Sequence, residues 1–391
     1  MMLRLVCKKP FQVSSVKTNL CFVFFFHGNP FLKSITHSSE STPTDPKSSL
    51  TVSYLTTSCG LSPESALKAS KWVTLKTPKN ADLVLDFLRS HGFDQTHIAK
   101  AITGQPRLIT LRPERNLKPK VDFLTRYGFS DSQIIKLVSR EPTIITRSID
   151  KHIAPTLEFL RGLIGTQSDV IAAVDHSTLL LRPFYQERLV PNISALREHG
   201  VPVSQVSKFI IKYPNMFCMT ASTRFREVVA VVHGMGIHPS QYIFIEAVRA
   251  MVCLSISNWD GKFEVYKSFG WSEDEILSLF RGFPLCMMFS EKKIKRGMEY
   301  FIKDLGWEKS YLSKYPVLLG FSLEKTVIPR CSVLQVLSSE GLIKKDMNWG
   351  TALKMDKKQF LERFVTKYKN EVPELTRAYH GMTESKGIVD V

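Results

Sequence analysis

The stretch RYGFSDSQIIKLVSREPTIITRSIDKHIAP, residues 126–155, decides the fold of this chain. Near its start is Gly128, which is followed by a large apolar residue. Ser130, with Gln133 three residues later, predicts a capped helix start, and apolar residues at helical spacing follow. Pro142 then ends the helix, because proline has no N–H and disfavours a helical residue before it. A short apolar piece and two basic residues lead to the next helix.

The same pattern recurs along the chain with a period of 34 to 36 residues. The recurring glycines are Gly92, Gly128, Gly200, Gly236, Gly270, Gly306 and Gly341, with one more expected near Gly162 or Gly165. The helix-ending positions are Pro106, Pro142, Ser177, Pro214, Ala250, Pro284 and Pro316. Such a period predicts an all-α array of helical repeats that share one continuous core, as an α-solenoid does. We expect each repeat to hold two α-helices and a short 3₁₀ piece after the proline.

The repeats should extend from residue 50 to residue 375 as one elongated domain. The segment CGLSPESALKASKWVTLKTP, residues 59–78, is interpreted as a half repeat that caps the array. The segment MDKKQFLERFVTKYKNEVPEL, residues 355–375, predicts a closing amphipathic helix. Residues 376–391 are interpreted as a polar C-terminal tail.

The first 45 residues do not match the repeat. No acidic residue precedes Glu40, while lysine, arginine and serine are frequent, which is typical of an organelle transit peptide. The apolar run from Leu20 to Phe26 is too short to span a bilayer. A secretory signal is the alternative. Residues 38–50, SSESTPTDPKSSL, are interpreted as a polar linker.

The net charge of +17 indicates a polyanionic partner, either nucleic acid or an acidic membrane surface. Seven cysteines without any Cys-x-x-Cys pair argue against disulfides and zinc, and for a reducing compartment. Three of them, Cys218, Cys253 and Cys286, follow the helix-ending position in successive repeats, so we expect them to be small core residues.

No catalytic constellation is present in the sequence. A phosphate loop, a Ser/His/Asp motif and clustered metal ligands are all missing, and the ten histidines are dispersed. We therefore predict a protein that is not an enzyme, with no cofactor, no metal and no small-molecule substrate.

The basic residues follow the repeat. The candidate nucleic-acid-binding residues lie in two rows after the helix-ending positions. The first row lies nine positions after the helix-ending position and consists of Arg115, Lys151, Lys293 and Lys325. In the middle repeats Arg188, Arg224 and Lys262 lie near this row. Neighbouring candidates are Lys118, Arg226 and Arg296. The second row, five or six positions on, is Arg112, Arg147 and Arg182. Equivalent positions of stacked repeats lie along one edge, so these rows would form a track for a phosphate backbone. The alternative is that lysine and arginine simply fill solvated connections.

The aromatic residues after the glycines allow two interpretations. Phe93, Phe129, Trp271 and Trp307 could stack on bases. Val201 and Ile237 occupy the same position, however, and a stacking site would not accept valine. We therefore expect this position to fill the core between the two helices.

The repeat unit GFSDSQIIKLVSREPTIIT, the helix LKPKVDFL, the opening SCGLSPESALKAS and the acid-free leader resemble the mitochondrial transcription termination factor (mTERF) family, most of all its plant branch. The resemblance covers residues 50 to 375. It implies a right-handed superhelical solenoid, curved as a half-doughnut, whose basic concave side holds double-stranded DNA. Ser177 and Ala250 depart from the proline of the family pattern.

The resemblance implies an organellar regulator of gene expression, with double-stranded DNA or RNA of the organelle as its partner. Transcription termination or regulation is the leading function, and intron splicing or ribosomal RNA maturation is the alternative. The mitochondrion is expected, with the chloroplast as the alternative. A period of about 35 residues also fits pentatricopeptide RNA readers, but the recurring proline and the third short helix argue against them. A protein-binding scaffold is the alternative of a different class. We expect a monomer without membrane attachment, because no basic amphipathic helix with a bulky apolar face stands out.

The first testable prediction concerns the leader. We expect the imported precursor to be cleaved between about residues 25 and 50, where the acid-free leader gives way to the Ser- and Pro-containing segment. N-terminal sequencing of protein purified from organelles measures this directly. Mature protein that still begins at Met1 would contradict the prediction.

Overall fold

The computed structural model describes residues 46–344, 346–375 and 379, apart from the side chains of residues 46–49 and 183–186, and this part of the chain is helical without strands. The α-helices are α1 Pro46–Thr57, α2 Pro63–Ser70, α3 Lys79–Ser90, α4 Gln95–Gly104, α5 Lys118–Arg126, α6 Asp131–Arg140, α7 Ala154–Ile164, α8 Gln167–His176, α9 Pro183–Glu198, α10 Val203–Lys212, α11 Pro214–Met219, α12 Ser222–Gly234, α13 Tyr242–Cys253, α14 Ile256–Ser268, α15 Glu273–Gly282, α16 Glu291–Met298, α17 Lys309–Lys314, α18 Ile328–Ser339, α19 Trp349–Leu353 and α20 Lys357–Phe360.

Shorter helical pieces lie between these helices. The 3₁₀ helices are Pro106–Thr110, Pro142–Thr146, Thr178–Leu181, Pro284–Met287 and Pro316–Gly320. Turns of π-helix are Pro113–Leu117, Ile149–Ile153, Glu299–Asp304, Leu323–Val327 and Leu361–Thr366. The predicted repeat of two α-helices and a 3₁₀ helix is therefore confirmed, and the fold is an all-α helical-repeat solenoid.

The second repeat shows how the sequence builds a unit. Its first helix α5 ends at a glycine turn, and α6 then starts at Ser130, whose hydroxyl accepts a hydrogen bond from the Gln133 backbone N–H at 3.3 Å. The Gln133 side chain in turn accepts from the Ser130 backbone N–H at 3.0 Å, which completes the predicted capping box. Pro142 ends α6 and starts the 3₁₀ helix.

The periodic glycines lie at positive φ. Their φ values lie between 67° and 111°, and the missing member of the series is Gly165, at φ 111°. A residue in this conformation closes a helix, and only glycine adopts it without a steric cost from a Cβ atom. The glycine period in the sequence is thus a period of first-helix ends.

Contacts divide the described chain into two compact units. The first unit reaches Ile193 and includes Val203–Ala221, and the second holds Ser194–Pro202 and the residues from Ser222 onward. In the first unit α4 contacts α6, α6 contacts α8, and α8 contacts α10. In the second unit α13 contacts α15, and α14 contacts α16. Equivalent helices of consecutive repeats therefore stack within each unit. The predicted extent of the domain, residues 50–375, stays a prediction.

Two repeats depart from the expected 3₁₀ piece. After Pro214 the short segment is an α-helix, α11. At Ala250 the second helix does not stop: α13 continues to Cys253, because alanine keeps its N–H and favours the helix. Ser177 replaces proline in another way, since its hydroxyl accepts from the Leu179 backbone N–H at 3.3 Å and caps the 3₁₀ helix.

The ends of the array also differ from the expectation. Helix α1 begins at Pro46, inside the segment interpreted as a linker, and its Thr51 hydroxyl accepts from the Leu75 backbone N–H at 3.0 Å. The closing helix forms as α20 and its π-helical continuation, but it ends at Thr366. The predicted transit peptide lies outside the described residues, as does the predicted tail except for Tyr379.

The core contains the residues predicted for it. Phe93, Phe129 and Trp271 are buried, while Trp307 is half-buried against Phe301, with ring centroids 5.0 Å apart. Cys218 and Cys286 are buried as expected, and burial raises the pKa of each thiol to about 12. Cys253 is only half-buried.

Side chains of a first helix also donate to backbone carbonyls at the end of the same repeat. In the first unit Asn80 donates to the Leu111 carbonyl at 3.1 Å, and Asn192 donates to the Phe217 and Thr220 carbonyls at 2.8 and 3.1 Å. In the second unit Arg330 donates to the Leu353 and Met355 carbonyls at 2.7 and 2.6 Å. These groups lie where short helices end and their last carbonyls lack partners within the helix.

The second prediction compares two residues of the second repeat. Leu137 is buried, and Leu137→Ala should cost about 2–5 kcal/mol through lost burial and a cavity. Pro142 is also buried, against Gly104 of the preceding repeat, but Pro142→Ala removes fewer buried atoms and should cost less. Denaturant midpoints measure the order. A larger loss from Pro142→Ala would show that the proline is the more important residue for packing.

The third prediction concerns Asn192, which is fully buried. Asn192→Asp keeps the side-chain volume but turns a carboxylate toward two carbonyls, so it should cost on the order of 3 kcal/mol or more. Asn215→Asp is the matched control, because Asn215 is exposed. Chemical denaturation of both variants tests the carbonyl contact, and equal midpoints would mean that it contributes nothing.

Candidate nucleic-acid interface

Each repeat has two edges with different chemistry. We call the surface that holds the end of a second helix, the short helix after it and the start of the next first helix the proline edge. We call the surface around the positive-φ glycine the glycine edge. The short helices Pro106–Thr110 and Pro142–Thr146 contact each other in the first unit, and Pro284–Met287 contacts Pro316–Gly320 in the second. The proline edges of neighbouring repeats are therefore adjacent within each unit.

The predicted row lies at the proline edge, where first helices begin. Arg115, Lys151 and Lys325 are exposed and sit in π-helical turns, and Lys293 sits in the first turn of α16. The three lysines are held alike: a serine hydroxyl accepts from the lysine backbone N–H at 3.2 Å in each case. The capping serines are Ser148, Ser290 and Ser322. These caps fix where the side chains leave the backbone.

Lys293 differs from the other members of the row because it is only half-exposed. Its ammonium group donates to the Gly320 carbonyl, in the short helix that ends the same repeat, at 2.5 Å and lies 5.2 Å from the centre of the Phe289 ring. This lysine ties the start of the first helix to the short helix, so less of its charge is available to a ligand.

Two arginines of the middle repeats make the same kind of contact. Arg188 donates to the Met219 carbonyl at 3.0 Å within the first unit. Arg224 donates to the Leu254 carbonyl at 2.6 Å within the second. Their periodic spacing therefore has a structural cause, which is the carbonyl at the end of the same repeat.

The second row is not uniform. Arg112 is exposed. Arg147 and Arg182 instead converge on Glu141, a carboxylate whose side chain is only 1% exposed. Arg147 reaches Glu141 at 3.3 Å, and it also donates to the Thr143 hydroxyl at 2.9 Å and the Leu181 carbonyl at 2.7 Å. Arg182 donates to Glu141 through its Nε. Burial lowers the pKa of the Arg147 guanidinium, and the Glu141 charge opposes that shift.

The remaining predicted residues fall into three groups. Lys118 and Arg226 are exposed. Arg296 is exposed but forms an ion pair with Glu324. Lys262 is buried, at 6% exposure, and does not face solvent as the prediction required. In its repeat α14 starts at Ile256, which places Lys262 in the second turn, on the buried face with Trp259.

The proline edge is positive in both units. In the first unit its exposed cations include Arg107, Arg112, Arg115, Lys118, Arg140, Lys151 and Lys212, and its exposed carboxylates include Glu114, Asp150 and Glu187. In the second unit the exposed cations include Arg226, Arg281, Lys292, Lys295, Arg296, Lys314 and Lys325, and the exposed carboxylates include Glu227, Asp260 and Glu291. Exposed cations therefore outnumber exposed carboxylates at the proline edge of each unit.

The glycine edge carries no such excess. At three glycine turns of the first unit one arginine precedes the glycine and one aspartate follows it, so their charges balance. These residues are Arg89 and Asp94, Arg126 and Asp131, and Arg161 and Asp169. In the second unit Lys267 faces an acidic helix start, and its ammonium lies 2.6 Å from the Glu273 carboxylate. Of the two edges, the proline edge is thus the one with an excess of positive charge.

Sequence reasoning missed Glu141 and the carbonyl-binding role of several cations. The Glu141 position was visible as a carboxylate next to the helix-ending Pro142, where the other repeats have Gln105, His176, Tyr213, Phe283 and Tyr315. No sequence signal distinguishes a cation that binds a carbonyl from one that faces solvent.

The described residues contain no group of three or more histidine, cysteine or acidic side chains placed to hold a metal ion. They also contain no helix whose length and hydropathy together would let it cross a membrane.

Comparison with known proteins agrees with the repeat. The model of the mTERF family matches residues 85–255 and 183–361 in two overlapping segments. The chain is also similar to the transcription termination factor MTERF8, chloroplastic, of Arabidopsis thaliana, with 24% identity over 139 residues. That match covers 36% of this chain and 28% of the relative, so it spans well under two thirds of the relative's length. The family match covers most of the chain, and the protein belongs to the mTERF family.

Proposed function

We propose that this protein binds nucleic acid in an organelle and regulates gene expression, and that it holds the sugar-phosphate backbone along its proline edge. Double-stranded DNA is the leading partner, with an effect on transcription through termination or regulation. Family membership supports the general function. The choice of duplex DNA comes from the family resemblance of the repeat.

The separation of charge between the two edges carries the proposal. If lysine and arginine only kept the array soluble, they would be spread over both edges. Instead the glycine edge of the first unit is balanced, while exposed cations at the proline edge outnumber the exposed carboxylates there, Glu114, Asp150 and Glu187. A polyanion that follows one edge of stacked repeats would meet this charge repeatedly.

The position of the row gives a second reason. Arg115, Lys151 and Lys325 stand at helix starts, where the helix dipole is positive and a cation is unfavourable by about 0.3–1 kcal/mol. The same place is favourable for a phosphate, because the dipole and the cation then attract it together. A cation repeated at an intrinsically unfavourable position is better explained by a bound anion than by folding.

The cellular location is part of the proposal. The acid-free leader supports an organelle, and the name of the Arabidopsis relative favours the chloroplast over the mitochondrion expected from the sequence. We therefore place the protein in an organelle, with the chloroplast first.

An RNA partner is the second candidate, because a basic track also fits single-stranded or structured RNA. Crosslinking in intact organelles, with DNA and RNA sequenced separately, decides between the two. Recovery of intron or ribosomal RNA without DNA would move the protein to splicing or ribosomal RNA maturation.

The fourth prediction tests the track. The triple variant Arg115→Ala, Lys151→Ala and Lys325→Ala should bind both duplex DNA and RNA more weakly, independently of sequence. Each lost phosphate contact should reduce the slope of log affinity against log salt by about one. Fluorescence anisotropy over a salt series measures this, and circular dichroism should stay helical because all three residues are exposed.

The matched control is Arg126→Ala, Arg197→Ala and Lys303→Ala. These residues are exposed, lie near glycine turns and lower the net charge by the same amount. Binding that falls equally in both triples would mean diffuse charge and no track. Binding that changes in neither would favour a protein-binding scaffold.

A further inference from the structure

The geometry points to a pre-organised phosphate site at the junction of the second and third repeats: we infer that Arg182 binds a backbone phosphate with its terminal amino groups, and that buried Glu141 positions it. The inference rests on the proposed function and adds a residue-level site to it. Both residues belong to the first unit, whose proline edge has an excess of exposed cations.

The first observation is how Arg182 is held. Only its Nε is used to bind Glu141. Among the described side chains none accepts from its Nη1 or Nη2, and the side chain is 37% exposed. A guanidinium presents five N–H donors in a rigid plane, so four of them remain for a second acceptor. A phosphate can accept two of these in parallel, which is the geometry that favours arginine over lysine.

The second observation is that burial and several hydrogen bonds hold the Glu141 side chain in place. It is buried next to Pro142, and it accepts from Arg147 and from the Thr143 hydroxyl in addition to Arg182. Arg147 is itself fixed by the Leu181 carbonyl. These partners hold the Glu141 carboxylate in place, so it fixes the plane of the Arg182 guanidinium before a ligand binds. Pre-organisation removes part of the entropic cost of binding.

The third observation is the charge of the cluster. Two arginines share a single carboxylate, so one positive charge is left uncompensated at a half-buried place. A purely structural ion pair would need only one arginine. A phosphate that approaches from solvent would neutralise the excess, and the exposed Lys151 lies in the following helix start of the same edge.

The competing explanation is that the cluster only ties the two repeats together. Arg147 already does this through the Leu181 carbonyl. The two explanations differ in what they predict for charge-conserving substitutions, because a tie affects unfolding while a phosphate site affects binding.

The experiment uses the full chain, with fluorescein-labelled duplex DNA and single-stranded RNA as separate probes over a salt series. Arg182→Lys keeps the charge but loses the planar fork, since a lysine has one donor group that would stay on Glu141. We expect roughly fivefold weaker binding and a salt slope smaller by about one. Arg126→Lys is the matched control: Arg126 is exposed near a glycine turn of the same unit, away from the track, and this variant should bind like the unchanged protein.

Glu141→Gln gives a test of opposite sign. It raises the net charge by one, so attraction by diffuse charge predicts tighter binding. Loss of positioning predicts weaker binding, which is the result we expect. Thermal melts followed by circular dichroism identify a temperature at which each variant is folded, and binding is measured at that temperature. If Glu141→Gln does not fold, the comparison of Arg182→Lys with Arg126→Lys tests the phosphate site without it.

The outcomes separate this inference from the proposed function. If the unchanged protein binds neither probe, the proposed function fails and the phosphate site fails with it. If the protein binds but Arg182→Lys behaves like Arg126→Lys, or Glu141→Gln binds more tightly, the track stands and the phosphate site is overturned. A melting temperature lowered by Arg182→Lys with unchanged binding would show that the cluster only ties the repeats together.

Discussion

The structure depends on one constraint, which is that the last carbonyls of each short segment have no partner inside it. In most repeats a long side chain near the start of the first helix donates to one of these carbonyls. The pairs are Asn80 with Leu111, Arg147 with Leu181, Asn192 with Phe217, Arg224 with Leu254, Lys293 with Gly320, and Arg330 with Leu353. These hydrogen bonds join the start of a repeat to the short segment that ends it, so they fix the packing within the repeat as well as satisfying the backbone.

This constraint explains why basic residues follow the repeat even where no ligand is involved. A side chain that reaches from the start of the first helix to the end of the short segment must be long and must donate, and arginine and lysine meet both conditions. Arg224 and Lys293 are therefore periodic for a structural reason. Arg115 and Lys151 are periodic too, but they are exposed at helix starts, where folding gains nothing from a cation. The two groups look the same in the sequence and differ only in what their side chains touch.

The parts of the fold that depend on local chemistry could be predicted. Positive φ at Gly128, the capping box at Ser130 and the helix stop at Pro142 each involve residues within a few positions of one another. The burial of Phe129 was also predictable, because valine occupies the same position in another repeat. The parts that depend on distant contacts could not be predicted. Helix α1 has little amphipathic pattern of its own, and it is tied to the array by Thr51 and the Leu75 backbone.

The sequence by itself determined the repeat, the class of fold and the excess of positive charge, because period, turn residues and net charge are properties of the chain order. Only the tertiary structure decided where that charge is available. It buried Lys262 on the inner face of α14, joined Arg296 to Glu324, and brought Arg147 and Arg182, 35 residues apart, onto Glu141. The physical reason is that burial and pairing depend on which residues of neighbouring repeats meet. That information is absent from the spacing of any single row.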